Sequence, residues 1–284
     1  EGESQCDHCE QCENCCNCSY CENGSHHTDS DICTRCDSCS DHCECGSIIR
    51  PYEADVLDHC AFFGNPPDKI FLGVELEVEV RTGDADDIAQ AWLDNAGDWL
   101  ICKHDGSLDD GFELVTAPSD LATHAERWTA LLGNGELVRP LKSWDTTTCG
   151  LHVHVSRAPI SQLTLGKLLV FMNSPETQPF LTARGGRDNT RWAKVSPKKI
   201  SDARKASHDR YQALNLCNTN TIEFRLFKGT LNTNHVIANI QFCHAVVTWA
   251  KDASIRDVED WRAFTGFVCH NKPYKALSVW LKNH

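Results

Sequence analysis

Residues 71–80 read FLGVELEVEV, and this two-residue alternation constrains the chain more than any other segment. Successive side chains of a strand point to opposite sides, so Glu75, Glu77 and Glu79 share one face. Val74, Leu76, Val78 and Val80 take the other. Glutamate is depleted in strands, and carboxylates about 7 Å apart on one face repel unless solvent, cations or basic groups compensate. Two readings stand open at this point. One is a solvated edge strand that resists aggregation. The other is a carboxylate platform for hard divalent cations such as Mg²⁺, which take oxygen ligands.

Three further segments repeat the pattern. In WLICKHDGSLDDGFELVTAP, two strands are predicted around turns at Asp105-Gly106 and Asp110-Gly111. Glu113 there sits between Phe112 and Leu114, with Lys103 and Asp105 nearby. Asp105 by itself reads as a turn former. In CGLHVHVS, His152 and His154 share a face, backed by Leu151, Val153 and Val155. Such a pair can bind a metal or contact phosphate, whereas one buried histidine is usually just hydrogen-bonded core. In 221–227, Glu223 and Arg225 oppose Ile222, Phe224 and Leu226. One such strand is noise, but four suggest a sheet with helices on its apolar side and a charged side open to ligand.

Helices are predicted between these strands. One spans 84–95, with an acidic first turn and Gly97 ending it. A second starts from a cap at Ser119 or Asp120 and runs to about Leu132, a third covers 161–173, and the last spans His235–Lys251. The segment FLTARGGRDNTRWAK places Arg184, Arg187, Arg191 and Lys194 around a Gly185-Gly186 hinge, as a loop that closes over an anion or as a plain surface loop. There is no Walker A string.

The first 47 residues differ from the rest. They carry twelve of the eighteen cysteines, and eleven Asp and Glu against Arg35 alone, a balance of −10 within a total of −13. Cys6/Cys9, Cys12/Cys15, Cys18/Cys21 and Cys33/Cys36 each have the two-residue gap that lets both thiolates reach one tetrahedral ion, and Cys16, Cys39, Cys43 and Cys45 complete the set. With few apolar residues beyond Tyr20 and Ile32, metal or disulfides must hold this head together. Twelve thiolates could fill three zinc sites, or His8, His26, His27 and His42 could join two mixed sites. A secreted disulfide framework and iron–sulfur ligation are the competing readings. The dense spacing, and six cysteines scattered singly elsewhere, favour zinc. The expected division is therefore a cysteine-rich module at 1–47, a connector at 48–69 and a catalytic domain at 70–284.

Composition sets outer limits. An apolar fraction of 41% with eight Trp suffices for a sizeable core. The acidic balance argues against nucleic acid and makes a protein partner for the head the better expectation. No apolar run approaches a membrane span and no signal-peptide pattern is read, so a cytoplasmic location is expected.

The strings LGVELEVE, HDGSLDDGFELVTAP, CGLHVHVS and DRYQALNLCNTNTIEFRLFKGTLN together resemble the amidoligase family of phages and bacteria, and cover most of residues 70–235. That family belongs to the carboxylate–amine ligases. The resemblance implies an α+β fold with a curved, mainly antiparallel sheet of glutamine-synthetase-like type, helices on one face, preceded here by the metal-binding module. It implies ATP and Mg²⁺ (or Mn²⁺); the head falls outside the resemblance, and Zn²⁺ there is expected from the cysteine spacing. By motif position Glu75, Glu77, Glu113 and Glu223 look like metal carboxylates, with His152 and His154 as metal or phosphate contacts. Arg225, with Arg184, Arg187 and Arg210, would neutralise phosphate, and Asp105 would orient or deprotonate an amine. The substrates implied are an amino acid, peptide or protein carrying a carboxylate and an amine, joined through an acyl phosphate. Two other functions remain open from the residues: a binding scaffold on a ligase-like fold, and a zinc hydrolase using His152 and His154.

Overall fold

The structure, a computed structural model, describes residues 6, 8, 9, 18–22, 24–28, 32, 37–39, 47–186, 193–204 and 209–284. The described part of the head contains a short hairpin, β1 (Ser19–Cys21) with β2 (His26–Thr28). Along the body follow β3 (Ile49–Arg50), β4 (Leu72–Val80), α1 (Ala85–Ala96), β5 (Leu100–Lys103), β6 (Gly111–Thr116), α2 (Leu121–Gly133), α3 (Gly135–Val138), β7 (Leu141–Lys142) and β8 (Gly150–Ser156). After these come α4 (Gln162–Asn173), α5 (Gln178–Gly185), β9 (Leu214–Asn215), β10 (Thr221–Lys228), α6 (Thr233–Asp252), α7 (Trp261–His270) and α8 (Lys275–Asn283).

One sheet organises the body, in the order β3-β5-β6-β4-β8-β10-β9, with β7 pairing β4 at its far end. All pairings are antiparallel except β3 with β5. The glutamate strand is therefore central, hydrogen-bonded to β6 on one side and β8 on the other. This removes the edge-strand reading of its three carboxylates.

The apolar face holds the core. Val74, Leu76 and Val78 of β4, Phe112 and Leu114 of β6, Leu151 and Val153 of β8, and Phe224 of β10 are all buried. Each fully buried side chain of this size contributes about 1.5–3 kcal/mol relative to exposure. The long helix α6 covers this face, and Phe242 meets Phe224 and Phe227 edge-on at 6.4 and 5.8 Å. Caps start the helices: Asp120, one of the two caps expected from the sequence, accepts from Thr123, and Asp84 accepts from Asp86 and Asp87 and Ser161 from Thr164, one residue inside the expected helix starts. Gly97 ends α1 with φ +62°, the left-handed region that glycine enters freely.

The sequence reading needs four corrections. The connector is partly sheet, since Ile49–Arg50 forms its edge strand. Arg184 and Gly185 belong to α5, which Gly186 closes at φ +74°, so the double glycine is a helix end rather than a hinge. The helix after β10 is followed by two more, whose buried Phe264, Val268, Leu277 and Trp280 extend the core. Finally, β10 does not alternate to its end. Phe224 pairs with Val153 and Phe227 with Leu151, three residues against two, so a bulge lies at Arg225-Leu226. Among the described residues no helix is long and apolar enough to cross a membrane.

Candidate active site

The polar face of the central strands assembles the residues singled out by alternation. Register does the work: Glu77 is opposite Glu113, Glu75 opposite His152, and Glu223 opposite His154. Cross-strand partners on one face lie about 4.5–5.5 Å apart at Cβ, so four strands bring their chemistry to one patch. Glu77, Glu113, Glu223 and His152 are all buried to 5% exposure or less.

Ligand atoms converge in two groups. Those of Glu75, His154 and Glu223 lie within 4.8 Å of one another, as do those of Glu77, Asp105 and Glu113. Among the described residues no such group contains both His152 and His154, so the pair does not form the shared site that a zinc hydrolase would need. Instead His152 stands between the groups, with Nδ1 3.4 Å from Glu75 and 3.7 Å from Glu223, and Nε2 3.7 Å from Glu77.

The first group is internally balanced. His154 Nε2 lies 3.1 Å from Glu75, Asn215 Nδ2 donates to Glu223 at 2.7 Å, and Arg225 bonds the other Glu223 oxygen. Burial alone would raise the Glu75 carboxyl, but His154 and hydrogen bonds from both histidines outweigh it and hold the group well below the usual range. Reciprocally, burial would lower His154, and Glu75 overcomes this to bring it to about 9. The second group is not balanced. Gly150 N–H donates to Glu77, but burial together with Glu75, Asp105 and Glu77 pushes the Glu113 carboxyl well above its ordinary value. Asp105 goes the other way. Its burial penalty is outweighed by the Ser107 N–H, at 2.6 Å, and by a hydrogen bond with Glu113.

These residues floor a cavity of about 1030 Å³. Its rim is basic and aromatic, formed by Lys103, Arg210 and Arg225 with Tyr52 and Tyr211. Arg210 donates to the Tyr52 hydroxyl at 3.2 Å and the Tyr211 hydroxyl at 3.0 Å, and Lys103 sits over the Tyr52 ring at 5.5 Å. Tyr52, Tyr211, Thr148 and Asn215 were not singled out by alternation, because none lies on an alternating strand. For Tyr211 and Asn215 the string DRYQALNLCN was the available signal.

The predicted site residues separate clearly. Glu75, Glu77, Asp105, Glu113, His152, Arg210 and Arg225 line the cavity, with His154 and Glu223 joined to it through Glu75. Arg184 does not reach it. Its guanidinium lies 4.6 Å from the Trp280 ring and bonds Asn239 of α6, buried among helices, because it falls in the last turn of α5 and not in a loop. Arg187 lies outside the described residues. Glu79 joins neither group and is instead held by Thr148 and by Lys142 at 3.0 Å. In the head, ligand atoms of Cys6, Cys9 and Cys18 come within 4.8 Å of one another, as do those of Cys21, His26 and Cys39. Cys12, Cys15, Cys16, Cys33, Cys36, Cys43 and Cys45 lie outside the described residues.

Comparison with known families matches the last of the four motif strings. Residues 182–247, a stretch that includes Glu223 and Arg225, match the model of the family described as "Putative amidoligase enzyme". A solved structure described as a crystal structure of a novel glutamine synthase homolog is similar at 13% identity and a TM-score of 0.42, over 76% of this chain and 66% of that one. The chain thus spans just under two thirds of that protein's length. No curated protein sequence matches the chain. The chain resembles the amidoligases, and the family match supports a ligase-like enzyme.

Proposed function

We propose that the protein is an ATP-dependent carboxylate–amine ligase acting through an acyl phosphate, with a zinc-binding head that recruits a substrate or protein partner. One observation carries the reading. Glu77, Asp105 and Glu113 line a cavity that also carries Lys103, Arg210 and Arg225, and a second group of metal-type ligands, Glu75 with His154 and Glu223, reaches it through Glu75, an arrangement suited to a triphosphate held between divalent ions and basic side chains. The donor set fits such ions. Glu77, Asp105 and Glu113 offer oxygens alone, as Mg²⁺ prefers, and the burial and carboxylate repulsion that raise the Glu113 carboxyl are what a divalent cation would offset. Glu75, His154 and Glu223 offer a mixed set that also suits Mn²⁺. The ions would supply neutralisation of phosphate charge.

The chain's own residues have the remaining roles. Arg225, Arg210 and Lys103 bind and orient the phosphates, and Arg225 also stays paired with Glu223. The γ-phosphoryl group passes to a substrate carboxylate and ADP leaves. An amine then attacks the acyl carbon, phosphate departs, and an amide remains. Asp105, held below its ordinary range, is ionised at neutral pH and placed at the cavity wall to take the proton lost by the amine. The amine and acid are of amino-acid, peptide or protein type.

The test is ADP release from ATP in the presence of Mg²⁺ and a bacterial lysate as substrate source, followed by mass spectrometry for a product joined with loss of one water. Glu77→Gln and Arg225→Ala should abolish both while the chain stays folded. Normal turnover in those variants would end the assignment.

A further inference from the structure

Cys21 and His26 are directly paired across the β1–β2 hairpin, so their side chains share a face. Cys39 arrives from a later segment, bridged to Ile32. Its N–H donates to Cys21 Sγ at 3.4 Å, and Gly24 N–H donates to the same sulfur at 3.2 Å. Both sulfur-bearing residues are buried, at 0% and 2% exposure. Two N–H donors aimed at one buried sulfur fix its direction, as outer hydrogen bonds do for a metal-ligating side chain.

The His26 ring is oriented as well. Its Nδ1 lies 3.1 Å from the Gly24 carbonyl oxygen, which can only accept. Nδ1 therefore carries the proton, and the lone pair of the neutral ring sits on Nε2. A backbone carbonyl fixing the far nitrogen is the usual support of a metal-ligating histidine.

Spacing alone would assign Cys18 and Cys21 to one ion. The strand Ser19–Cys21 opposes that: an extended chain advances about 3.3 Å per residue, so the two Cα atoms stand roughly 10 Å apart. Side chains three apart on an extended chain also point to opposite faces, which sulfurs bound to one zinc at about 2.3 Å each cannot do. The ligand atoms divide the same way, Cys18 with Cys6 and Cys9, and Cys21 with His26 and Cys39.

We propose that the head holds two separate zinc centres, a sulfur-rich one using Cys6, Cys9 and Cys18 and a mixed one using Cys21, His26 and Cys39, so that the Cys18-x-x-Cys21 pair is split between them. This rests on the reading of the head as a metal-binding module and adds its ligand pairing. Because a structural zinc contributes folding free energy, the mixed centre would tie the hairpin to the segment around Cys39.

The full chain, loaded with Co²⁺ in place of Zn²⁺, gives a direct test through metal content and ligand-field absorption. The wild type should bind ions with two distinguishable signatures. His26→Ala should weaken one ion at least tenfold and leave the sulfur-rich signature, and Cys9→Ser should do the reverse. His26→Cys should keep both ions while turning the mixed signature sulfur-rich, which covers the case in which the alanine variant fails to fold. Unchanged spectra in His26→Ala, loss of the same ion in both variants, or a single ion per chain would overturn the split. A head whose cysteines prove to be joined as disulfides, or which carries acid-labile sulfide, would instead remove the zinc reading altogether.

Discussion

Glu75 and Glu223 meet basic and amide partners within the protein, whereas Glu77, Asp105 and Glu113 meet mainly one another. The two groups adjoin on the polar side of the sheet and meet at the cavity through Glu75, yet His154, Arg225 and Asn215 compensate the first while the second concentrates negative charge. Position in the register explains this. β8 and β10 lie on the Glu75 side and bring histidine and arginine, while β6 brings another glutamate. A cation would thus enter the first group in competition with protein partners, and the second as the missing counter-charge.

The largest expected effect is on turnover. Glu77→Gln and Glu223→Gln should each lower Mg²⁺-dependent ADP release on the order of 100-fold or more, because a lost carboxylate forfeits several kcal/mol of charge stabilisation. Initial-rate assays check this, and equal activity in either would remove that group from the chemistry.

The same substitution should act oppositely on stability in the two groups. In metal-free protein at pH 8, Glu113→Gln should raise the melting midpoint by about 2–4 °C, the shift that 1 kcal/mol produces in a domain of this size. Glu75→Gln should lower stability by on the order of 2 kcal/mol, a figure discounted because its carboxyl is partly exposed. Calorimetry that gave both variants the same sign would break the comparison.

Proton linkage sharpens it further. His154 is raised from 6.5 to about 9, so the folded state binds more protons across that window. Its stabilisation is complete below about pH 6.5 and lost as pH rises through about 9. Glu113, also raised, adds a loss of stability as pH climbs above the ordinary carboxylate range. Glu75, lowered, contributes stability that is present at neutral pH and lost only in acid. Melting curves in a chelator should therefore fall between pH 6.5 and 9, and added Mn²⁺ or Mg²⁺ should flatten the decline. A chelated protein with flat stability across that window would contradict both assignments.

Glu79 should show the smallest effect. Thr148 and Lys142 hold it outside both groups, so Glu79→Gln should change turnover by less than about tenfold, below the roughly 10–100-fold typical of residues that hold metal ligands in place.

Alternation in β4, β6, β8 and the first half of β10 made the carboxylate floor legible, because a period of two dictates which side chains share a face wherever the chain is extended. It failed where the chain stops being regular. The bulge at Arg225-Leu226 depends on β8 as a pairing partner, and Arg184 followed α5 into the helical layer although its neighbours read as a loop. Tyr52 reached the rim because the preceding Ile49–Arg50 joins the sheet edge, a long-range pairing with no local signature.

By itself, then, the sequence determined which residues carry charge on each strand and which bury, since both follow from local geometry and hydrophobicity. Only the tertiary structure decided that Glu77 faces Glu113 while Glu75 faces His152, and that Cys21 faces His26. Register is set by the packing of the whole apolar face and by distant strands, and neither is written in any one segment.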